Sequence, residues 1–150
     1  MNIALRKVEP GDLPTLFEHQ QDPVANAMAA FPPRDREAFD AHWARILSDP
    51  TLVTQTILVD GDVAGNVVMF PRDGRHLIGY WIGREWWGQG IATAALWRFL
   101  EVFTIRPLHA FVATTNVGSR RVLEKCGFTL VEVLPHGDDG VQEVLMVLER

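Results

Sequence analysis

A change of hydrophobic period at a pair of glycines constrains this 150-residue chain more than any other feature. Upstream of Gly88-Gln89-Gly90, the segments Thr54 to Asp60, Val63 to Phe70 and His76 to Ile82 read as strands. They are divided by the turns Asp60-Gly61-Asp62 and Pro71-Arg72-Asp73-Gly74. Consecutive strands joined by turns this short form an antiparallel meander. Downstream, Ala92, Leu96, Phe99 and Phe103 recur at helical spacing with Arg98 and Glu101 on the other side, which predicts an amphipathic helix from about Gly90 to Ile105. The chain thus leaves a meander, crosses a two-glycine loop and enters a helix.

The rest of the chain extends this pattern. Ile3 to Val8 reads as a first strand, stopped at Gly11-Asp12. Asp12 is expected to cap a short helix running to His19, with Pro14 in its first turn. Asp22-Pro23 and Phe31-Pro32-Pro33 frame a stretch expected to be irregular, since the residue before each proline is pushed away from helical angles. Phe39, Trp43, Ile46 and Leu47 mark a helix from Asp35 to Ser48, closed by Asp49-Pro50. After the glycine loop come a strand over Leu108 to Thr115 and a short helix over Ser119 to Lys125. Strands over Thr129 to Val133 and Val141 to Leu148 then flank a turn from His136 to Gly140. This order predicts an α+β layered domain, a mixed but mostly antiparallel central sheet of about seven strands with helices on both faces. No repeat or long linker divides it, so residues 1–150 are expected to form a single domain.

Composition narrows the function. At 47% apolar and 22% charged the chain is globular in type. Its net charge of −5 argues against direct nucleic-acid binding, which needs a basic face. The single cysteine, Cys126, cannot close an internal disulfide and suits a reducing compartment. No apolar run approaches the roughly 20 residues of a membrane helix, and Met1 to Lys7 lacks a signal-peptide pattern. A cytoplasmic protein, monomeric or homodimeric and away from membranes, is the expectation. The five histidines are scattered without ligand spacing, so no metal is expected.

A glycine loop between a strand and a helix is suited to an anion. The first amides of the helix have no intrahelical partner, its dipole is positive there, and glycine lets the backbone approach closely. A phosphate or pyrophosphate is the natural ligand. The alternative is that Gly88 and Gly90 only shape the turn. A dinucleotide fingerprint would require glycine where Thr93 stands, inside a parallel βαβ unit, and a Walker A loop would require Gly-Lys-Ser/Thr. Neither is present.

The second constellation is Asn116-Val117-Gly118-Ser119-Arg120-Arg121-Val122-Leu123-Glu124-Lys125-Cys126-Gly127-Phe128. Read locally it is a punctuated helix, with Asn116 as cap, Gly127 in the left-handed position past its end and Phe128 folding back on Leu123. Local physics requires no more of Asn116 than capping.

Gly79-Tyr80-Trp81, Trp87-Gly88-Gln89-Gly90-Ile91-Ala92-Thr93 and Asn116 through Phe128, in this order, resemble the Gcn5-related N-acetyltransferase (GNAT) family over nearly the whole chain. The closest pattern is its ribosomal-protein alanine acetyltransferase-like subgroup. The resemblance implies the acyl-CoA N-acyltransferase fold, with acetyl-CoA as co-substrate lying between splayed strands His76–Ile82 and Leu108–Thr115. It implies that main-chain groups of Trp81 and Ile82 pair with the pantetheine arm. Amides from about Trp87 through Gly88, Gln89, Gly90, Ile91 and Ala92 to Thr93 would hold the pyrophosphate, Asn116 would reach the arm, and Ser119 would lie near the sulfur. Two positions depart from the family pattern. Glu85 stands where the loop usually begins with Gln or Arg, and Leu123 stands where many members carry a tyrosine acid. Tyr80, the only tyrosine, lies elsewhere in the sequence, which leaves Ser119 or water to protonate the leaving thiolate.

The implied reaction is attack of a neutral amine on the thioester within a ternary complex, with Ser119 and Asn116 as the catalytic candidates. The acceptor would be a small-molecule amine or a peptide N-terminus. A lysine-like amine has a pKa near 10.4 and an α-amine one near 7.7–8.0, so the former needs more help from a base. His76, His109, Glu132 and Glu143 are the candidate bases, and Asp138 and Asp139 join the two glutamates as a candidate acidic rim or a solvated hairpin. Arg121 and Lys125 suit either an outer phosphate or an exposed helix face. Cys126 has no evident partner and reads as a small buried apolar group, and Trp43, Trp86, Trp87 and Trp97 as core or cleft walls. The competing expectation is a non-catalytic acyl-CoA-binding sensor on the same fold.

Overall fold

In the computed structural model, which describes residues 1–137 and 140–150, the alternating segments pair into one seven-stranded sheet of order β1-β2-β3-β4-β5-β7-β6. Its strands are β1 (Ile3–Lys7), β2 (Val53–Val59), β3 (Asp62–Arg72), β4 (Arg75–Ile82), β5 (Leu108–Ala113), β6 (Thr129–Val133) and β7 (Glu143–Leu148). Five α-helices accompany them: α1 (Leu13–His19), α2 (Pro23–Ala29), α3 (Arg36–Ser48), α4 (Ile91–Val102) and α5 (Val117–Lys125). Every strand pair is antiparallel except β4 with β5. The expected layered α+β architecture is present.

Alternation along the strands divides the apolar residues between two cores. Val67 and Met69 of β3 join Leu96 and Phe99 of α4 and Leu123 of α5 on one face. Val68 packs on the other with Leu16 of α1 and with Phe39 and Trp43 of α3. Helices thus cover both faces, as period-2 strands with two buried sides require.

Three local expectations need correction. The stretch between Asp22 and Pro33 contains a helix, α2, because Asp22 caps it by accepting from Val24 N at 3.0 Å and Pro23 occupies the first helical position, where a missing N–H costs nothing. Asp12 does not cap α1. Its carboxylate accepts from Arg6 Nη1 at 2.7 Å and Nη2 at 2.8 Å, from Glu9 N at 2.9 Å and from Thr56 Oγ1 at 2.7 Å, tying β1 to β2 and to the start of α1. Trp97 is half exposed on α4, so it is neither core nor cleft wall. Asp138 and Asp139 lie outside the described residues.

The feature that positions the site is the β4–β5 pair. It is parallel and registers only His76 with Leu108 and Leu77 with His109. Beyond that the two strands part, opening a wedge at their C-terminal ends. Because parallel strands run the same way, the loops after both, Gly83–Gly90 and Thr114–Asn116, arrive at the same end of the sheet.

Candidate active site

Two cavities meet in this wedge. The first, of about 400 Å3, is bounded by Trp86, Trp87, Gly88 and Gly90 of the loop, by Ile91, Ala92 and Thr93 opening α4, and by Asn116, Gly118 and Ser119 on the opposite side. The second, of about 720 Å3, lies across the strands and is bounded in part by Phe31, Phe70, Phe111 and Glu143. Ala29, Tyr80, Trp81, Asn116 and Ser119 border both. A reactant in either cavity therefore meets the other at this shared line of residues.

The loop has the geometry an anion needs. Gly88 and Gly90 take φ of +77° and +76°, a left-handed conformation that glycine alone adopts cheaply, and a β-carbon on either would point into open space. Gly90 is the N-cap of α4, so the amides of Ile91, Ala92 and Thr93 have no carbonyl one turn back to bond. The loop is braced from below, with Trp87 Nε1 donating to Ile82 O at 2.9 Å and Trp86 N to Gly83 O at 2.9 Å. Gln89, by contrast, is exposed, reaches Glu85 O at 3.4 Å and does not line the cavity. Lys125 lines it and Arg121 does not.

Strand parity corrects one expected contact. Gly83 N bonds Ala64 O across the β3–β4 ladder at 2.9 Å. In an antiparallel pair alternate residues face the same neighbour, so the main-chain groups of Trp81 are turned toward β3. Those of Ile82 and Tyr80 face the wedge, with the Ile82 carbonyl already accepting the Trp87 indole. Trp81 borders the cavities but has no free main-chain edge to offer there. Its indole Nε1 donates to His19 O at 3.1 Å and its ring packs on Phe31 at 5.5 Å.

Asn116 caps α5 as expected, its Oδ1 accepting from Ser119 N at 3.2 Å. The far end of the helix closes as expected too: Phe128 N bonds Leu123 O and Gly127 N bonds Glu124 O, each at 3.0 Å, with Gly127 at φ +95°. This closure buries Leu123 and Phe128 together in the main core. Ser119 stands one turn before Leu123 and borders both cavities.

Tyr80 is the residue that sequence reasoning set aside. Its hydroxyl lies 2.7 Å from Ser119 Oγ and 3.0 Å from Ser119 O. Burial raises its pKa well above the usual phenol range, so it stays a neutral O–H that donates to the Ser119 carbonyl, while between the two hydroxyls either oxygen can be the donor. The matching family position, Leu123, carries no hydroxyl, but a phenol reaches the same helix from across the wedge. The sequence places it only two residues before the strand end, and its facing the gap between β4 and β5 follows from the register against β3.

Of the candidate bases, Glu143 lines the second cavity, while His76, His109 and Glu132 line neither. Cys126 is buried, with a weak S–H contact to Thr93 O at 3.8 Å, and burial raises its pKa to about 11. It is no nucleophile. Helix α2 supplies a wall to the first cavity through Ala25, Met28 and Ala29, held by the Asp22–Arg84 ion pair at 2.9 Å and by Thr115 Oγ1 donating to Met28 O at 2.9 Å. Among the described residues no three metal-binding side chains gather, and no helix is long and apolar enough to cross a membrane.

Comparison with known proteins agrees with this architecture. The acetyltransferase (GNAT) domain family matches residues 2–129. The chain is 30% identical over 142 residues to "Putative ribosomal N-acetyltransferase YdaF" of Bacillus subtilis (strain 168), covering 85% of this chain and 78% of that one. Spermidine N-acetyltransferase from Vibrio cholerae, solved with CoA and spermine, superposes with a TM-score of 0.85 at 16% identity, covering 98% of this chain and 95% of that one. Mycobacterium smegmatis RimJ, solved with CoA-disulfide, gives 0.79 at 21% identity, covering 98% and 81%.

Proposed function

The chain belongs to the GNAT acetyltransferase family, and from that premise we propose that it transfers the acetyl group of acetyl-CoA directly to an amine acceptor within a ternary complex. The observation that carries this reading is the meeting of the two cavities at Tyr80, Trp81, Asn116 and Ser119. A thioester held in one and an amine held in the other come into contact only there.

In this reading acetyl-CoA occupies the smaller cavity. The amides of Ile91, Ala92 and Thr93 receive its pyrophosphate, Gly88 and Gly90 leave the room for it, and Lys125 adds a cation nearby. The pantetheine amides find the Ile82 N–H and the edge of Tyr80 in the wedge. Asn116 reaches the arm with its amide while its carbonyl oxygen caps α5. The fit with CoA rests on this chain's own features: a strand edge without a strand partner, a left-handed glycine pair and a cavity between them.

For the transfer, the amine nitrogen bonds the thioester carbonyl carbon, the C–S bond breaks and the sulfur takes the electron pair. The Ser119 hydroxyl donates a proton to that sulfur as it takes one from the Tyr80 hydroxyl, 2.7 Å behind it. The phenol regains its proton from solvent at the cavity mouth, because burial disfavours its anion. Glu143 is the carboxylate at the acceptor side to take the proton the amine gives up. The protein acts in the cytoplasm, without a metal, on a soluble small-molecule amine or a peptide N-terminus. The test is thiol release from acetyl-CoA across a panel of amines, beside an acetyl-CoA titration. Release that depends on an amine supports transfer. Tight binding with no release from any acceptor would overturn it.

A further inference from the structure

The larger cavity carries a chemistry of its own. Aromatic rings form much of its wall, and guanidinium groups lie over them: Arg34 is 5.3 Å from the Phe31 ring centre, and Arg72 is 5.6 Å from those of both Phe70 and Phe111. A third cation, Arg45, donates to His42 Nδ1 at 3.0 Å. Arginine has no acceptor and stays charged, so that histidine nitrogen must present its lone pair and the ring is neutral. Burial, together with Arg34 and Arg45, accordingly pulls the His42 pKa down to about 4.

The negative side of this cavity is weaker. Asp49 already accepts from Thr51 N at 2.9 Å and Thr51 Oγ1 at 2.7 Å, and Glu143 sits at the reaction end. Among the described residues none of the three arginines has a carboxylate within ion-pair distance. In a chain of net charge −5, three such arginines at one cavity reverse the overall sign locally. The interior also holds unmet polar groups. Asn66 Nδ2 and Gln20 Oε1 are buried without hydrogen-bond partners, and both residues line the cavity at 5% and 9% exposure. Such orphans are unfavourable when buried without a complement.

We propose that the acceptor is an amine that also carries a carboxylate or comparable anion, with the arginines receiving the anion and the amine directed to Glu143 and Ser119. This rests on reading the larger cavity as the acceptor side of an acetyltransferase. A guanidinium pairs with a carboxylate through two parallel hydrogen bonds. A polycation brings nothing these arginines can bind and meets them as like charges. An α-amine also suits a site whose base is a lone carboxylate, because its pKa near 7.7–8.0 leaves roughly a tenth of it neutral at pH 7, far more than a lysine-like amine.

Equilibrium binding to the CoA-saturated protein tests this without turnover, using the fluorescence of Trp43 and Trp81, which line the cavity. Matched pairs are titrated: phenylalanine against phenylalaninamide, 6-aminohexanoate against its amide, and the peptide Ala-Asp-amide against Ala-Asn-amide, with spermidine as the polycation. The free acids and the peptide separate the two sources of an anionic amine. At least one carboxylate is expected to bind about tenfold or more tightly than its amide, and the preference is expected to collapse in Arg34→Gln, Arg45→Gln or Arg72→Gln. Equal affinities within every pair, tighter binding of spermidine, or no response to any amine would overturn the proposal. Thiol release measured on the same panel keeps the two readings apart. A carboxylate preference in binding with no thiol released from any member would uphold the anionic-amine ligand class of the cavity and overturn its reading as an acceptor site. Release with spermidine alone would uphold transfer and overturn the acceptor class.

Discussion

Asn116 serves two purposes with one side chain, and substitution separates them. Its Oδ1 caps α5, so Asn116→Ala should cost about 0.5–2 kcal/mol of stability. Asn116→Ser should restore most of that and little acetyl-CoA affinity, because serine caps nearly as well but is shorter and has no amide donor. Melting curves beside binding titrations on the three proteins check this, and full recovery of affinity in the serine variant would reduce Asn116 to a cap. Ser119→Ala and Tyr80→Phe should each lower kcat by about tenfold or more and leave the acetyl-CoA Kd nearly unchanged, since a proton delivered only in the transition state is read in the catalytic constant. Unaltered kcat in both would leave water as the proton source. The cap and the glycine past its end were legible because each follows from spacing along one helix, whereas the role of Ser119 near the sulfur was implied only by the resemblance. The Tyr80–Ser119 contact joins residues 39 apart across a gap in the sheet, and no periodicity reports such a pairing.

At the scale of elements, the glycine loop and α4 form one device. Gly90→Val should weaken acetyl-CoA binding at least tenfold while the chain stays folded. Valine at φ +76° costs about 1–3 kcal/mol, within the margin of a typical domain, and its branched side chain would fill the open space in front of the α4 amides. A folded variant with wild-type affinity would remove the loop from the binding site. This loop could be read from sequence because the period changes from two to 3.6 across it. Helix α2 could not. Two prolines bound a short segment of small residues, and the features that make it a helix are the Asp22 cap and its contacts with Arg84 and Thr115, the latter from distant parts of the chain. Strand parity escaped in the same way, because the choice of Tyr80 and Ile82 over Trp81 as wedge-facing depends on the register against β3.

Across the whole molecule, the short parallel β4–β5 pairing opens the candidate site, since a fully zipped pair would close the wedge. That the strands His76–Ile82 and Leu108–Thr115 stand side by side and splay was implied by the resemblance, while the two pairs of residues at which β4 and β5 stop pairing are a tertiary fact. Global stability also has a pH signature. The hydrogen bonds from Arg6, helped by Glu9 N and Thr56 against the cost of burial, pull the Asp12 pKa from 3.8 to about 2. A depressed carboxyl stabilises the fold fully above its unfolded value, and that contribution, about 2 kcal/mol, drains as pH falls from about 4 to about 2. Denaturant titrations over that range should show this loss in the wild type and a flatter slope in Asp12→Asn, which starts less stable. An equally steep slope in the variant would assign the acid sensitivity elsewhere.

The central claim is that both reactants are present together at the Tyr80–Ser119 junction, and two-substrate initial-rate kinetics test it most directly. Acetyl-CoA is varied at several fixed concentrations of an amine that supports thiol release, and reciprocal plots are compared. Direct transfer in a ternary complex predicts lines that intersect, together with an intact protein mass unchanged by acetyl-CoA alone. Parallel lines, with an acetyl group retained on the protein before amine is added, would contradict the account.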